Sequence, residues 1–172
     1  MSEEVSAQAE INIPRAAAWE KLRDISLAHH YVPGLVNTEI VSEQREGVGA
    51  SRYVYRTPRS YIQETVTEWN EGEGFLIRLH RGDRPAPPFK SAWFRYYLAD
   101  GATPDTTVFT ASMGYELPGG GFGRWLGSRM SGFVQKTIAD VAMSMKLYYE
   151  TGAATTPQAL KQYKQGLRNA SA

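Results

Sequence analysis

The chain begins with a strict alternation of apolar and polar residues. From Val5 to Ile13 every second position is apolar, which is the period of a half-buried β-strand. Pro14 ends this strand and suits the first turn of a helix. Short helices are predicted over Arg15–Asp24 and Leu27–Tyr31, and the second of them ends before Pro33-Gly34.

The middle of the chain has the pattern of a β-meander. Runs rich in β-branched and aromatic residues alternate with short clusters of Gly, Pro, Asp and Asn, which are typical turn residues. Because these connections are short, the strands are predicted to pair antiparallel. The predicted strands are Val36–Gln44, Ser51–Thr57, Tyr61–Trp69, Gly74–Arg81, Phe89–Ala99 and Thr106–Leu117.

A long helix is predicted over Phe122–Glu150. Its apolar positions recur every three or four residues and form one stripe, which is typical of a helix that packs on a core. The stripe consists of Phe122, Leu126, Met130, Phe133, Thr137, Val141, Met145 and Tyr148. Thr151-Gly152 is a helix stop, and the tail after it contains a candidate for a short amphipathic helix over Gln158–Leu167.

This order of elements predicts an α+β fold. A curved seven-stranded antiparallel sheet is expected around the long C-terminal helix, with two short helices after the first strand. The right-handed twist makes so wide a sheet curl around the helix. Because the curvature separates the helix from the sheet, side chains or an apolar ligand must fill the space between them.

Composition and charge exclude several classes of function. A chain of 172 residues suits one domain. Its 19 basic and 18 acidic residues give a net charge of +1, without the basic excess of a nucleic-acid-binding domain. No apolar run reaches the ~18 residues of a membrane-spanning helix, and the acidic start of the chain does not resemble a secretion signal, so a cytoplasmic protein is expected. The absence of cysteine excludes disulfides, thiolate metal ligands and a cysteine nucleophile.

Several short motifs follow one another along this pattern. They are Asp24, His29-His30-Tyr31-Val32-Pro33-Gly34, Gly47-Val48-Gly49-Ala50-Ser51-Arg52 and Glu64-Thr65-Val66. In this order they make the chain resemble the START-like (SRPBCC) superfamily, and within it the polyketide cyclase/dehydrase and lipid-transport group. The resemblance covers about residues 5–152. It implies a helix-grip fold with a hydrophobic ligand cavity between sheet and helix, in a ligand-binding domain over residues 1–152 that is followed by a tail over 153–172. The family usually has Trp where this chain has His30, so a more polar cavity rim is expected.

The resemblance also implies which side chains face the cavity. If Glu64 points inward, Ile62 and Val66 share its face because side chains alternate along a strand. By similarity to related helix-grip proteins, Phe75 and Val54 are also expected to point inward. The expected ligand-binding residues are Arg52, Glu64, Ile77, Leu79, Trp93, Arg95 and Tyr97 on the strands, and Met130, Phe133 and Thr137 on the long helix.

Three interpretations remain open for Glu64 and the arginines near it. A carboxylate in an apolar chamber needs a partner, so an internal ion pair with an arginine, which fixes the strand register, is one role. Alternatively, Arg52 or Arg95 binds a carboxylate or carbonyl at the polar end of a ligand, and Tyr97 donates a further hydrogen bond. The third role is that of a catalytic base.

His30 is a further catalytic candidate, as a proton donor near neutral pH. The alternative is that His30 packs at the cavity rim while His29 faces solvent. His80 is the remaining histidine, so neither a metal site nor a cofactor is predicted. The glycine-rich segment from Gly119 to Gly123 lacks the βαβ context of a nucleotide-binding loop, and a hinge for the long helix is expected there instead.

Three functions are compatible with this pattern. The leading hypothesis is a carrier or sensor of a hydrophobic small molecule, either a lipid or an aromatic polyketide-like compound, because the chain shows no nucleophile–base–orienter set. The alternative is a cyclase or dehydratase that acts in the same cavity, since such chemistry needs little beyond shape, one acid or base and excluded water. A third function is the modulation of a protein partner through the sheet or the helix. The proline-rich loop Arg81–Pro88 is expected to gate the cavity.

Overall fold

Strand β1 (Ser2–Ile11) and two short helices open the chain in the computed structural model. The structure describes residues 2–170, apart from the side chains of residues 2, 121–124 and 128. After β1 come α1 (Arg15–Leu22), a 3-10 turn (Ile25–Leu27) and α2 (Ala28–Tyr31). The Asp24 carboxylate accepts a hydrogen bond of 3.1 Å from the backbone N–H of Ser26, and this cap starts the 3-10 turn.

The remaining strands form one antiparallel sheet with β1. They are β2 (Asn37–Ile40), β3 (Ser51–Thr57), β4 (Ser60–Asn70), β5 (Gly74–Arg81), β6 (Arg84–Pro85), β7 (Ser91–Asp100) and β8 (Thr107–Glu116). Their order is β1-β8-β7-β5-β4-β3-β2, and the two residues of β6 pair with β5 beside this path. The predicted seven-stranded antiparallel sheet is therefore confirmed.

Two irregularities bend the sheet. The pairing register shifts between Tyr55 and Thr57 on β3, and again between Val66 and Glu68 on β4. An extra residue on one strand bends that strand and increases its twist. Such bends increase the curvature of the sheet on the side of β3 and β4.

The long helix α3 (Gly120–Thr151) packs across the concave face of the sheet. Its Ile138, Val141 and Met145 side chains are buried together with Phe75 of the sheet. The helix ends at Gly152, whose φ of 72° lets its N–H donate to the Tyr148 carbonyl at 2.8 Å. Phe122, a predicted stripe position, lies among the side chains outside the described part, and the hinge stays a prediction.

Strand β2 is shorter than the predicted strand Val36–Gln44. The Ser42 hydroxyl accepts a hydrogen bond of 2.8 Å from the Ser51 N–H and donates one of 2.6 Å to the Gln44 carbonyl. The Ser42 side chain thus accepts from the Ser51 N–H, which would donate to a backbone carbonyl if β2 were longer. The regular hydrogen-bond ladder between β2 and β3 therefore ends there.

The tail after α3 forms helix α4 (Pro157–Ala170) and packs back on the fold. Thr155 donates its N–H to the His30 carbonyl and its hydroxyl to the Ser144 carbonyl, both at 2.8 Å. Leu160 is the buried anchor of α4. The division into a domain over 1–152 and a tail over 153–172 stays a prediction. Across the described chain, no helix combines the length and the apolar character that crossing a membrane requires.

Candidate functional site

A cavity of about 400 Å³ lies between the inner face of the sheet and α3. Most of its lining is apolar and comes from both layers, including Val32, Val54, Leu79, Phe94, Met130 and Val141. The volume falls within the range of roughly 300–1,000 Å³ that is typical of small-molecule sites.

Strand alternation builds the sheet side of the cavity. Every second residue of β3, β4 and β5 points inward, and the antiparallel register sets these residues side by side. Val54 lies opposite Ile62, and Glu64 lies between Arg52 on β3 and Leu79 on β5. The predicted inward direction of Ile62, Glu64 and Leu79 agrees with their place in the lining.

Arg52 and Glu64 form a buried ion pair at the inner end of the cavity. Arg52 Nε donates to Glu64 Oε2 at 2.7 Å, and Nη1 donates to the Ile25 carbonyl at 2.6 Å. The Arg52 side chain is 1% exposed and that of Glu64 12%. Burial is the largest single effect and lowers the pKa of the Arg52 guanidinium, but the Glu64 carboxylate together with Tyr31 and Tyr96 holds this pKa above its ordinary value. The guanidinium therefore stays charged.

Arg52 lies close enough to Tyr31 and Tyr96 to interact with their hydroxyls, but three buried polar atoms in this region form no regular hydrogen bond with the described part of the protein. They are Arg52 Nη2 and the hydroxyls of Tyr31 and Tyr149. Buried polar groups are normally paired, so each unpaired one calls for an explanation. Tyr96 lies beside them, with its ring centroid 6.1 Å from that of Tyr31, and it also lines the cavity.

Burial raises the pKa of Tyr31, Tyr96 and Tyr149 above the ordinary tyrosine value. The positive charge of Arg52 acts in the opposite direction on Tyr31 and Tyr96, but burial is the larger effect. All three phenols are consequently neutral at physiological pH. They can each donate a hydrogen bond to a polar atom.

The predicted ligand-binding residues divide into three groups, of which the first two lie on the inner side of the fold. Leu79, Met130, Phe133 and Thr137 line the cavity together with Glu64. Ile77 and Arg52 point inward but are buried behind the lining, where they support it. Ligand contact by any of these residues stays a prediction.

The predicted inward direction of Trp93, Arg95 and Tyr97 is wrong. The inner row of β7 consists of the alternate residues, Phe94 and Tyr96 among them. On the outer face, Arg95 Nη2 pairs with Glu68 Oε2 at 3.0 Å. Alternation fixes which residues share a face but leaves two phases open, and a shift of one residue exchanges the faces. The signal for the observed phase was the unbroken apolar row Ala92, Phe94, Tyr96 and Leu98, since the other row contains Arg95.

His30 lies outside the cavity lining. Its ring packs edge-on against His29, at 4.4 Å between centroids, and against Tyr148, at 5.7 Å. His29 is not simply a solvent-facing residue, because its Nδ1 lies 3.0 Å from the Thr38 hydroxyl. Burial, and secondly the charge of His30, lower the pKa of His29. These contacts do not place His30 within the cavity as a proton donor.

Two arginines that the sequence interpretation missed line the cavity at its mouth. Arg56 follows Val54 at the register shift of β3, and Arg81 follows Leu79 in the inner row of β5. Both are exposed residues. Extending the same alternation by two residues along each predicted strand would have found them.

The proline-rich loop borders the same mouth. Pro87 and Pro88 are exposed and contribute to the lining, with the buried Ala86 beside them. Gating by the loop Arg81–Pro88 stays a prediction. The residues that the structure describes include no group of three or more His, Asp or Glu side chains arranged to hold a metal ion.

A curved antiparallel sheet around a long C-terminal helix, with an apolar cavity between the two, defines a helix-grip protein. Residues 2–150 match the family model described as polyketide cyclase / dehydrase and lipid transport. The chain belongs to this family, and the resemblance inferred from its motifs is confirmed.

Solved structures share the fold at low sequence identity. A protein from Nitrosospira multiformis is 13% identical with a TM-score of 0.67, and the match covers 86% of this chain and 96% of that protein. TTHA0849 from Thermus thermophilus is 16% identical with a TM-score of 0.67, over 87% and 99% of the two chains. Ara h 8.0201 is 14% identical with a TM-score of 0.54, over 84% and 99%. These likenesses show the fold alone. Comparison with curated proteins gives no significant match.

Proposed function

We propose that the protein binds a hydrophobic small molecule, either a lipid or an aromatic polyketide-like compound, in the cavity between the sheet and α3. The observation that carries the proposal is the volume of about 400 Å³ with a mainly apolar lining. Side chains that line a void lack van der Waals partners on one side, and an apolar ligand restores those contacts while leaving water itself.

The polar atoms at the inner end of the cavity favour a ligand that carries a carbonyl or hydroxyl there. Arg52 Nη2 and the Tyr31 hydroxyl interact with each other but are donors without a regular hydrogen bond among the described residues. A buried donor that stays unpaired lowers stability, so a ligand oxygen that accepts from it contributes to affinity. Such a ligand is expected to raise the melting temperature of the protein.

Cavity filling tests this proposal. Thr137 lines the cavity, whereas its neighbour Lys136 is exposed on the same helix. Thr137→Phe is expected to weaken binding of the neutral dye Nile red by about tenfold or more, because the ring occupies space that the dye needs. Lys136→Phe adds the same ring outside the cavity and should leave the affinity unchanged.

The measurement is a fluorescence titration of both variants and the wild type, with circular dichroism as the check on folding. Equal dye affinity of the two folded variants would contradict binding in the cavity. Mass spectrometry of gently purified protein gives the matching direct observation, an apolar compound that copurifies with the wild type and is lost from Thr137→Phe.

A second candidate function, a cyclase or dehydratase acting in the same cavity, is favoured by one observation. The Glu64 carboxylate and the Tyr96 phenol both line the apolar chamber, as a proton acceptor and a proton donor that face the same space. Exclusion of water from such a site protects reactive intermediates. In protein that circular dichroism shows to be folded, Glu64→Gln separates the two functions, because its amide oxygen still accepts a hydrogen bond from Arg52 and dye binding is retained, whereas proton transfer is abolished.

A further inference from the structure

The mouth of the cavity is positively charged. Near the ends of β3 and β5 lie Arg56 and Arg81, and both residues are exposed where they line the cavity. On the described part of the chain, no carboxylate forms an ion pair with either of them. Arg81 Nη2 donates to the Tyr61 carbonyl at 3.2 Å, which leaves most of its donors available.

The lining carries no negative charge that balances these arginines. Among the described residues of the lining, Glu64 is the one carboxylate, and it is held by Arg52 at 2.7 Å deeper in the fold. The buried Arg52–Glu64 pair is neutral as a whole. An approaching ligand therefore meets two unneutralised guanidinium groups at the mouth and an apolar chamber behind them.

The opposite rim is apolar. Phe133 on α3 lines the cavity although it is 62% exposed, and the exposed Pro87 and Pro88, from the loop after β6, add further apolar surface to the lining. A ligand that passes this rim therefore has an apolar body. A mouth with a charged side and an apolar side matches an amphiphile, which has one charged and one apolar part.

We propose that the cavity takes an amphiphile with a single anionic group, either a carboxylate or a phosphate, whose apolar body fills the chamber and whose anion binds Arg56 and Arg81 at the mouth. This inference rests on the proposed function and narrows the class of its ligand. The planar guanidinium matches the oxygens of a carboxylate or phosphate and binds them with two parallel hydrogen bonds.

The anion belongs at the mouth rather than at the inner end. Inside the cavity an anion would lose its hydration, which is strongly unfavourable without a free cation. Two of the Arg52 nitrogens there already bind Glu64 and the Ile25 carbonyl. At the mouth the anion keeps part of its water and gains two cations that no carboxylate of the described residues neutralises.

Displacement of Nile red by a matched series of chains tests this inference. Dodecanoate, dodecyl phosphate and 1-dodecanol share one apolar chain and differ in the head group. At low ionic strength we expect the two anions to displace the dye at concentrations about fivefold below that of the alcohol, which corresponds to the roughly 1 kcal/mol that a partly exposed ion pair contributes at most. Salt should reduce this preference, because it screens exposed charges.

Variants of the arginines assign the preference to the mouth. The double variant Arg56→Gln/Arg81→Gln is expected to lose the preference for the anions while its affinity for dodecanol stays that of the wild type. Arg45→Gln makes the same kind of change at an exposed arginine outside the lining, and it should keep the preference.

The outcomes separate the two proposals. If the dye binds and all three chains displace it equally well, the charged mouth has no role in recognition and the inference fails, while the cavity proposal stands. An anion preference that survives in the double variant also overturns it. If Nile red and all three chains fail to bind, the proposed function itself fails.

Discussion

At the scale of the residue, the Arg52–Glu64 pair places two charges where the fold is otherwise apolar. Its geometry is good, with 2.7 Å between Arg52 Nε and Glu64 Oε2 and a further bond to the Ile25 carbonyl. Removing both charges from water is nevertheless unfavourable and offsets much of their attraction. The pair is therefore expected to contribute more to the alignment of β3 with β4 than to the stability of the fold.

This balance predicts a strong coupling between the two residues. Glu64→Leu is expected to destabilise the fold by about 3 kcal/mol or more, because it leaves a buried guanidinium without its partner. Arg52→Met should have a smaller effect, since the Glu64 side chain is 12% exposed and reaches the cavity. The double variant Arg52→Met/Glu64→Leu is expected to approach wild-type stability. Urea unfolding followed by circular dichroism measures the cycle, and additive losses in the double variant would refute the argument.

At the scale of the element, β7 shows how one glycine is matched to one large side chain. Trp93 lies opposite Gly114 on the outer face of the sheet. A Cβ at position 114 would come within 2.1 Å of the Trp93 ring. The ring thus covers the backbone of Gly114 on β8, and this packing keeps Trp93, and with it Arg95 and Tyr97, on the outer face of the sheet.

The pairing predicts that Gly114→Ala destabilises the protein by about 1–3 kcal/mol, the usual effect of adding a methyl group to a packed site. The loss should largely disappear when Trp93→Ala is introduced as well, because the ring is then gone. Gly132 is an exposed glycine of α3, and a Cβ added there would have no atom within 4 Å, so Gly132→Ala is the control. That control should stabilise the helix by about 0.5–1 kcal/mol. Thermal unfolding of these variants and the wild type checks the signs.

At the scale of the whole molecule, buried phenols link the stability of the fold to alkaline pH. Burial raises the pKa of Tyr31, Tyr96 and Tyr149 above the ordinary value of 10.0. Burial, together with a hydrogen bond to Glu3, raises the pKa of Tyr115 to about 12. A group whose pKa is raised by folding releases its proton at a lower pH in the unfolded state than in the folded state. The stability linked to it is full below pH 10 and is lost as the pH rises through the folded pKa.

The free energy of unfolding is therefore expected to stay level up to about pH 9 and to fall steeply above pH 10, by about 1.4 kcal/mol per pH unit for each linked proton. Tyr149→Phe removes one such group and should make the fall shallower. Tyr163→Phe makes the same chemical change at a half-buried position on α4 and serves as the comparison variant. Urea titrations across this pH range provide the measurement, and a wild-type slope for Tyr149→Phe would exclude Tyr149 from the linkage.

The sequence determined the order of elements, because periods of two and of three to four residues are local properties of the chain. They located the strands and the long helix, and the inward row of Ile62, Glu64 and Val66 followed from alternation once one member was assigned to the inner face. The family resemblance rested on short motifs in the same order. Both the fold class and the family were therefore accessible without coordinates.

The tertiary structure alone decided which phase each strand takes, which arginine pairs with Glu64, and how much space remains inside. Periodicity states which residues share a face but not which face meets the helix, so Arg95 was placed inward although Glu68 holds it outside. The cavity of about 400 Å³ is the small difference between the space that the sheet and helix enclose and the volume of the side chains inside it. This difference depends on the curvature of the sheet and on its distance from the helix. Arg56 and Arg81 both line its mouth because antiparallel pairing through β4 brings the ends of β3 and β5 to the same edge of the cavity.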